Sequence, residues 1–199
     1  MQELALTMAA DCIDAQEPEF ARLVKRAKAG DTAAFEAILV RYERQVLLTA
    51  LRLLNRNLED AKDAAQQVFL RLHRSLGQLD ESRHFASWLY RITVNVCRDV
   101  QRARARRPTA PLEEAGEPAV SESVEETLRK REQMRMIYAA LATLPERERA
   151  AIALRDLEGL ETKEVARILG CSEVTVRSQI SNGRVKIRNF VKRRQKGVS

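Results

Sequence analysis

Glycine and proline are scarce in this chain, seven and five of 199 residues, and aromatic residues make up only 5%. With 45% hydrophobic and 32% charged residues, a chain so poor in turn formers reads as mostly helical, with enough apolar side chains to bury a core. Cysteine is scarce too. Cys12, Cys97 and Cys171 are odd in number and far apart, and no CxxC occurs. His73 and His84, the only two histidines, lie at no metal-ligand spacing to a cysteine. Neither a disulfide framework nor a zinc site is expected, and free thiols point to the cytoplasm. No run approaches the roughly 18 apolar residues that a membrane-crossing helix needs. The start, MQELALTMAADCIDAQEPEF, lacks the basic segment of a secretory signal. There is no Walker A sequence, no glycine-rich phosphate loop and no nucleophile–base pair. No cofactor or metal is therefore expected, and an enzyme is the least supported class.

What is present is helical periodicity and positive charge. The net charge of +7 suggests a polyanionic partner, but only its placement can say so. From about Glu19 to Arg106 apolar residues recur at steps of three and four, predicting four helices in one bundle. Gly30 closes the first, Asp31 caps the second, and Asn55–Asn57 breaks the pattern before the third. The fourth runs from about His84 and carries Phe85, Trp88, Leu89, Ile92, Val96 and Val100. Residues 107–123 then hold three of the five prolines and read as a flexible linker. Helical spacing resumes near Val124, with Pro145 expected at the first helical position of a later helix. The expected layout is all-α: an N-terminal extension (1–18), a four-helix bundle (19–106), the linker (107–123) and a second helical domain (124–199).

Thr162–Ile187 carries the sharpest local signal. A helix bearing Val165, Ala166 and Leu169 ends at Gly170, and Ser172 can cap a second helix. That is the helix-turn-helix pattern, whose second helix can enter the major groove. Val176, Ile180, Gly183, Ile187 and Val191 line its inner side. The outer side offers Arg177, Gln179, Ser181 and Asn182 toward base edges, with Ser172, Thr175, Ser178, Arg184 and Arg188 beside them. Arg184, Lys186, Arg188, Lys192, Arg193 and Arg194 would meet phosphates. The bland reading of the same segment is a helical hairpin with a solvated basic face.

Four stretches carry a family resemblance. FEAILVRYERQVLLTALRLL, DAKDAAQQVFLRLHRSL and FASWLYRITVNVCRDVQRARARR resemble region 2 of bacterial sigma factors. LATLPERERAAIALRDLEGLETKEVARILGCSEVTVRSQISNGRVKIRNF resembles their region 4. With only these two regions joined by a linker, the chain resembles the extracytoplasmic-function group over about Ala21–Lys192. The resemblance implies a non-enzymatic subunit that binds core RNA polymerase, directs it to promoters and helps to melt DNA. It implies that Asp60, Lys62, Asp63, Gln66, Gln67 and Phe69 face the polymerase clamp, and that region 4 sits on the flap. It also implies that Arg83, His84, Phe85, Ser87, Trp88, Arg91, Asn95, Arg98 and Arg102 face the minus-10 element, while the helix-turn-helix reads the minus-35 element. Trp88 has a second reading, as plain core on one stripe with Phe85, Leu89 and Ile92. An anti-sigma factor is the implied regulator, and no membrane insertion is implied.

Two departures from the family pattern stand out. Lys62 and Gln67 replace two acids of the family's acidic run, leaving it three charge units less negative. Each lost exposed pair would cost about 0–1 kcal/mol. Gln179 and Asn182 stand where the family often has basic residues, so promoter preference is expected to be unusual. The competing class is a stand-alone helix-turn-helix regulator whose bundle dimerises or binds a ligand. It requires tight duplex binding without polymerase and a two-fold symmetric site.

Overall fold

The computed structural model describes residues 18–79, 85–106 and 134–196. These residues are helical, with no strand among them. The N-terminal unit comprises α1 (Pro18–Lys28), α2 (Thr32–Leu53), α3 (Leu58–Ser75), a short 3-10 turn (Leu76–Gln78) and α4 (Phe85–Arg106). The C-terminal unit comprises α5 (residues 134–142), α6 (Glu146–Ile152) with a π turn at Ala153–Leu157, α7 (Thr162–Leu169) and α8 (Glu173–Lys196). The linker assigned to 107–123, the N-terminal extension, Cys12 and the residues from Val124 up to 133 lie outside the described residues.

Local chemistry sets the ends of the helices. Gly30 takes a positive φ of 93°, which lets the chain turn out of α1. Asp31 then caps α2, its Oδ1 accepting the Ala34 amide at 3.1 Å. That bond and the Arg26 guanidinium hold its carboxyl below the ordinary carboxylate range. Asn57 does the same for α3, accepting the Asp60 amide at 3.2 Å. The turn before it places Asn55 and Arg56 at positive φ (56° and 62°), where Arg56 lies 5.0 Å over the Tyr138 ring of the other unit. Pro145 occupies the cap of α6, one position earlier than expected from sequence. Its extended ψ of 148° leaves Glu146 as the first helical residue.

Packing follows the apolar stripes. Ile38, Val46, Val68, Leu72, Val94 and Val96 are essentially inaccessible at the centre of the N-terminal bundle. Fully burying each such side chain contributes roughly 1.5–3 kcal/mol. One edge of this core is aromatic: the Phe85 ring lies 5.2 Å from both Phe20 and Tyr42. Trp88 stacks edge-on against Phe85 at 6.1 Å and is half-buried, which favours its core reading. In the C-terminal unit α8 crosses α6 so closely that a Cβ on Gly183 would lie 2.9 Å from Ile152 Cγ1. Leu141, Leu154, Val165 and Val176 fill the space around that crossing.

The two units pack against each other through a polar seam. The buried Glu158 carboxylate receives Thr49 Oγ1 at 2.8 Å and Tyr90 Oη at 2.7 Å, and is paired with the buried Arg52 guanidinium. Burial opposes the charge on Arg52, but Glu158, Tyr138 and Tyr90 together outweigh it and raise the guanidinium pKa above its ordinary value. Arg149, also buried, donates to the carbonyls of Leu141 and Leu144 in its own unit and of Leu53 in the other. Burial lowers its pKa, against the pull of Glu146.

Candidate nucleic-acid interface

The helix-turn-helix forms as its sequence requires. α7 opens with a reciprocal cap between Glu161 and Glu164 and ends at Gly170 in the left-handed conformation, φ 68° and ψ 42°. Ser172 Oγ then accepts the Thr175 amide at 3.1 Å and caps α8. Val176 and Ile180 point inward and are buried. Ser172, Arg177, Ser178, Ser181, Asn182, Arg184 and Arg188 are exposed, and Thr175 is half-buried.

Two of these outer residues are not simply free. Arg177 is held by Glu173 at 2.9 Å, one turn back on the same helix. Arg184 makes a two-pronged bond to Asp156 (2.9 and 2.6 Å), which raises its pKa and ties it to α6's π turn. Gln179 is half-buried, and its Oε1 is shielded with no hydrogen bond within the protein. Lys186, expected to meet phosphate, is likewise bonded to Glu148 at 2.7 Å. Sequence reasoning also missed two residues. Val174 (70% exposed) and Val185 (49% exposed) lie on the same outer stripe as Arg177, Ser178 and Ser181, three and four residues apart. Uncovered valines on an outer face were the available signal.

On α3, Lys62, Asp63, Gln66 and Gln67 form one exposed face, and Phe69 is half-buried beneath it. Leu70, 57% exposed and one turn beyond Gln66 and Gln67, joins this face, although sequence reasoning did not select it. Asp60 does not join it. Its carboxylate turns to Arg104 on α4 at 2.8 Å.

On α4, Ser87, Arg91, Asn95, Arg98 and Arg102 follow one another at steps of three and four residues and form a single polar stripe. Arg91, Asn95 and Arg102 are exposed, while Ser87 and Arg98 are half-buried. Phe85 is 4% exposed within the aromatic core, so it braces the helix from inside and is not part of the stripe. Arg83 and His84 lie outside the described residues.

This arrangement recurs in known proteins. Residues 38–107 match Sigma-70 region 2, and residues 134–187 match Sigma-70, region 4. The ECF RNA polymerase sigma factor SigM of Mycobacterium tuberculosis is 35% identical over 179 residues, covering 90% of this chain and 88% of that protein. The ECF RNA polymerase sigma-E factor of Escherichia coli is 35% identical over 178 residues, covering 85% and 92%. The chain belongs to the extracytoplasmic-function sigma factors. Among solved structures, CnrH in complex with the cytosolic domain of CnrY superposes with a TM-score of 0.63 at 26% identity, covering 86% of this chain and 96% of that one. RpoE of Bartonella quintana, with its anti-sigma factor NepR, shares the fold at a TM-score of 0.67 and 21% identity, covering 79% and 96%.

As a sigma factor the protein serves promoter-specific transcription initiation with RNA polymerase, and such subunits are not enzymes. Region 2 holds α3 and α4, and region 4 holds α5 to α8. Among the described residues no cluster of three or more His, Cys, Asp or Glu could hold a metal ion, and no helix is long and apolar enough to cross a membrane. The α4 stripe of region 2 is met by carboxylates of region 4. Ser87 Oγ donates to Glu164 at 2.7 Å, and Arg98 lies 3.4 Å from Glu146.

Proposed function

We propose that α4 of region 2 reads and helps to melt the minus-10 element, that α8 of region 4 reads the minus-35 element, and that the exposed face of α3 docks on the clamp of core RNA polymerase. The observation that carries this reading is the pair of separate polar faces, one on α4 and one on α8. They are joined through 107–133, a span long enough to serve two promoter elements at once. On α4 the stripe from Arg91 to Arg102 provides positive charge at successive turns, which suits a displaced, negatively charged strand. On α8 Arg177 can form bidentate bonds to a base edge, and Val174 offers the apolar contact that a thymine methyl group accepts. Region 4 would rest on the polymerase flap. The protein acts in the cytoplasm under the control of an anti-sigma factor, as relatives solved with protein partners suggest.

Run-off transcription with purified core polymerase, on a library of promoter fragments, tests the reading. Transcripts starting at a shared pair of motifs, and absent without this chain, support it. Silence combined with tight duplex binding by the chain alone would overturn it in favour of a stand-alone regulator. A neutral 5-bromo- or uracil-for-thymine scan of the upstream motif would locate the methyl group that Val174 meets.

A further inference from the structure

Val40 is the most exposed large apolar side chain among the described residues, at 76%, and it belongs to none of the faces on α3, α4 and α8. It stands on the outer side of α2. Ala37, Val40, Arg44 and Leu47 follow one another at steps of three and four residues and share one ridge, exposed except for half-buried Leu47. We propose that residues 1–17, the acidic segment that leads into α1, dock along this ridge and cover Val40.

The ridge is cationic on the side that faces α1. Arginines mark both ends of the seam between the two helices. Arg26 of α1 reaches Asp31 at the start of α2 at 2.7 Å, and Arg41 of α2 lies 5.0 Å over the Phe20 ring of α1. Arg22, exposed one turn before Arg26, stands between those ends. The exposed acids of α2, Glu36 and Glu43, fall by helical step on the opposite flank of the ridge. An apolar ridge with cations along one edge fits a chain that is both acidic and apolar.

Residues 1–17 have that composition. They carry Glu3, Asp11, Asp14 and Glu17 with no lysine, arginine or histidine, and Leu4, Leu6, Met8 and Ile13 as apolar side chains. They enter the fold at Pro18, two residues before the ring that Arg41 covers. That tether raises their effective concentration at the ridge, so modest contacts suffice. Fully extended they span about 50 Å, against roughly 15 Å for the ridge from Ala37 to Leu47. Other occupants match less of the surface. A phosphate backbone would pair with the cations and leave Val40 in water. A second copy presenting the same face about a two-fold axis would set arginine against arginine.

The test uses the full chain, with Cys171→Ser and a nitroxide attached to Cys12, inside the segment; Cys97 is buried and stays unlabelled. Paramagnetic broadening of backbone amide signals in the isotopically labelled protein reports where the segment rests. The amides of Ala37, Val40, Arg41 and Arg44 should broaden, and those of α8 should not. Val40→Glu, at an exposed site that leaves the core untouched, should cut the docked fraction about tenfold. Asp11→Asn with Asp14→Asn should lower it by a smaller factor, about threefold, and 1 M salt should act in the same direction. A mixture of nitroxide-bearing, isotopically silent chains with label-free, isotopically labelled chains should show no broadening. Broadening that survives in the mixture assigns the ridge to a second copy and overturns the proposal. Absence of broadening on α2, or broadening that Val40→Glu leaves unchanged, overturns it too and leaves the ridge open to an acidic partner.

Discussion

The two helices proposed to face nucleic acid have similar chemistry and different availability. α8 shows Arg177, Ser178, Ser181 and Asn182 to solvent, and the acids that touch its arginines come from its own unit, Glu173 and Asp156. α4 carries a comparable polar stripe, yet acids of the other unit meet it at Ser87 and Arg98. Periodicity and charge identify both faces equally well. Only the tertiary arrangement tells them apart, because a face is defined by what covers it as much as by what it displays.

The difference can be broken at its supports. The largest effect is expected from Leu72→Ala, which hollows the core beneath α3 and α4 at a fully buried site. It should cost about 2–5 kcal/mol in urea unfolding, and a loss under about 1 kcal/mol would mean that the bundle is less tightly packed than described. Next comes Gly183→Ala, which forces a methyl group to within 2.9 Å of Ile152 Cγ1. Overpacking there should cost about 1–3 kcal/mol and should impair α8 while leaving α4 intact, as read by hydrogen exchange of the two units.

A sharper contrast sets Arg177→Ala against Arg91→Ala in run-off transcription. If α8 reads bases and α4 follows a backbone, the first should relax upstream preference by about 1–3 kcal/mol. The second should weaken initiation at all promoters alike and lower the salt slope by about one unit. Matching profiles for the two variants would erase the distinction.

The smallest effect concerns Cys97 and Cys171, the free thiols of the two units. Burial raises the Cys97 thiol from 9.0 to about 12. A raised acid is favoured in its neutral form by the folded state, so stability is intact below about pH 9 and declines as pH climbs toward 12. At pH 8 an alkylating reagent should modify half-buried Cys171 readily and Cys97 only on unfolding, as peptide mapping would show.

Much of this was legible in the sequence where the cause is local. Asp31, Asn57, Gly170 and Ser172 mark helix ends through bonds that span three or four residues, and the resemblance to sigma regions 2 and 4 follows from contiguous stretches. Pro145 was one position off because proline's fixed φ suits both the cap and the first turn. The seam was not legible. Arg52 and Glu158 are 106 residues apart in the chain, and no periodic signal links an arginine on one amphipathic helix to a glutamate after another. The exposed Leu70, Val174 and Val185 were passed over because helical periodicity rewards apolar residues only when they fall on the inner stripe.

The π turn at Ala153–Leu157 adds one further consequence. There the Glu158 amide reaches back five residues to the Ala153 carbonyl at 2.9 Å, so the helix holds one residue more than an α turn would. Removing a single residue from this turn would restore regular α geometry, and four α steps of about 100° each would bring Glu158 back over the Ala153 carbonyl at nearly the same azimuth. A single-codon deletion at this point is thus expected to leave Glu158 facing Arg52 and to spare the helices on either side. In evolutionary terms the turn is a place where the chain can change length by one residue without redesign of either domain.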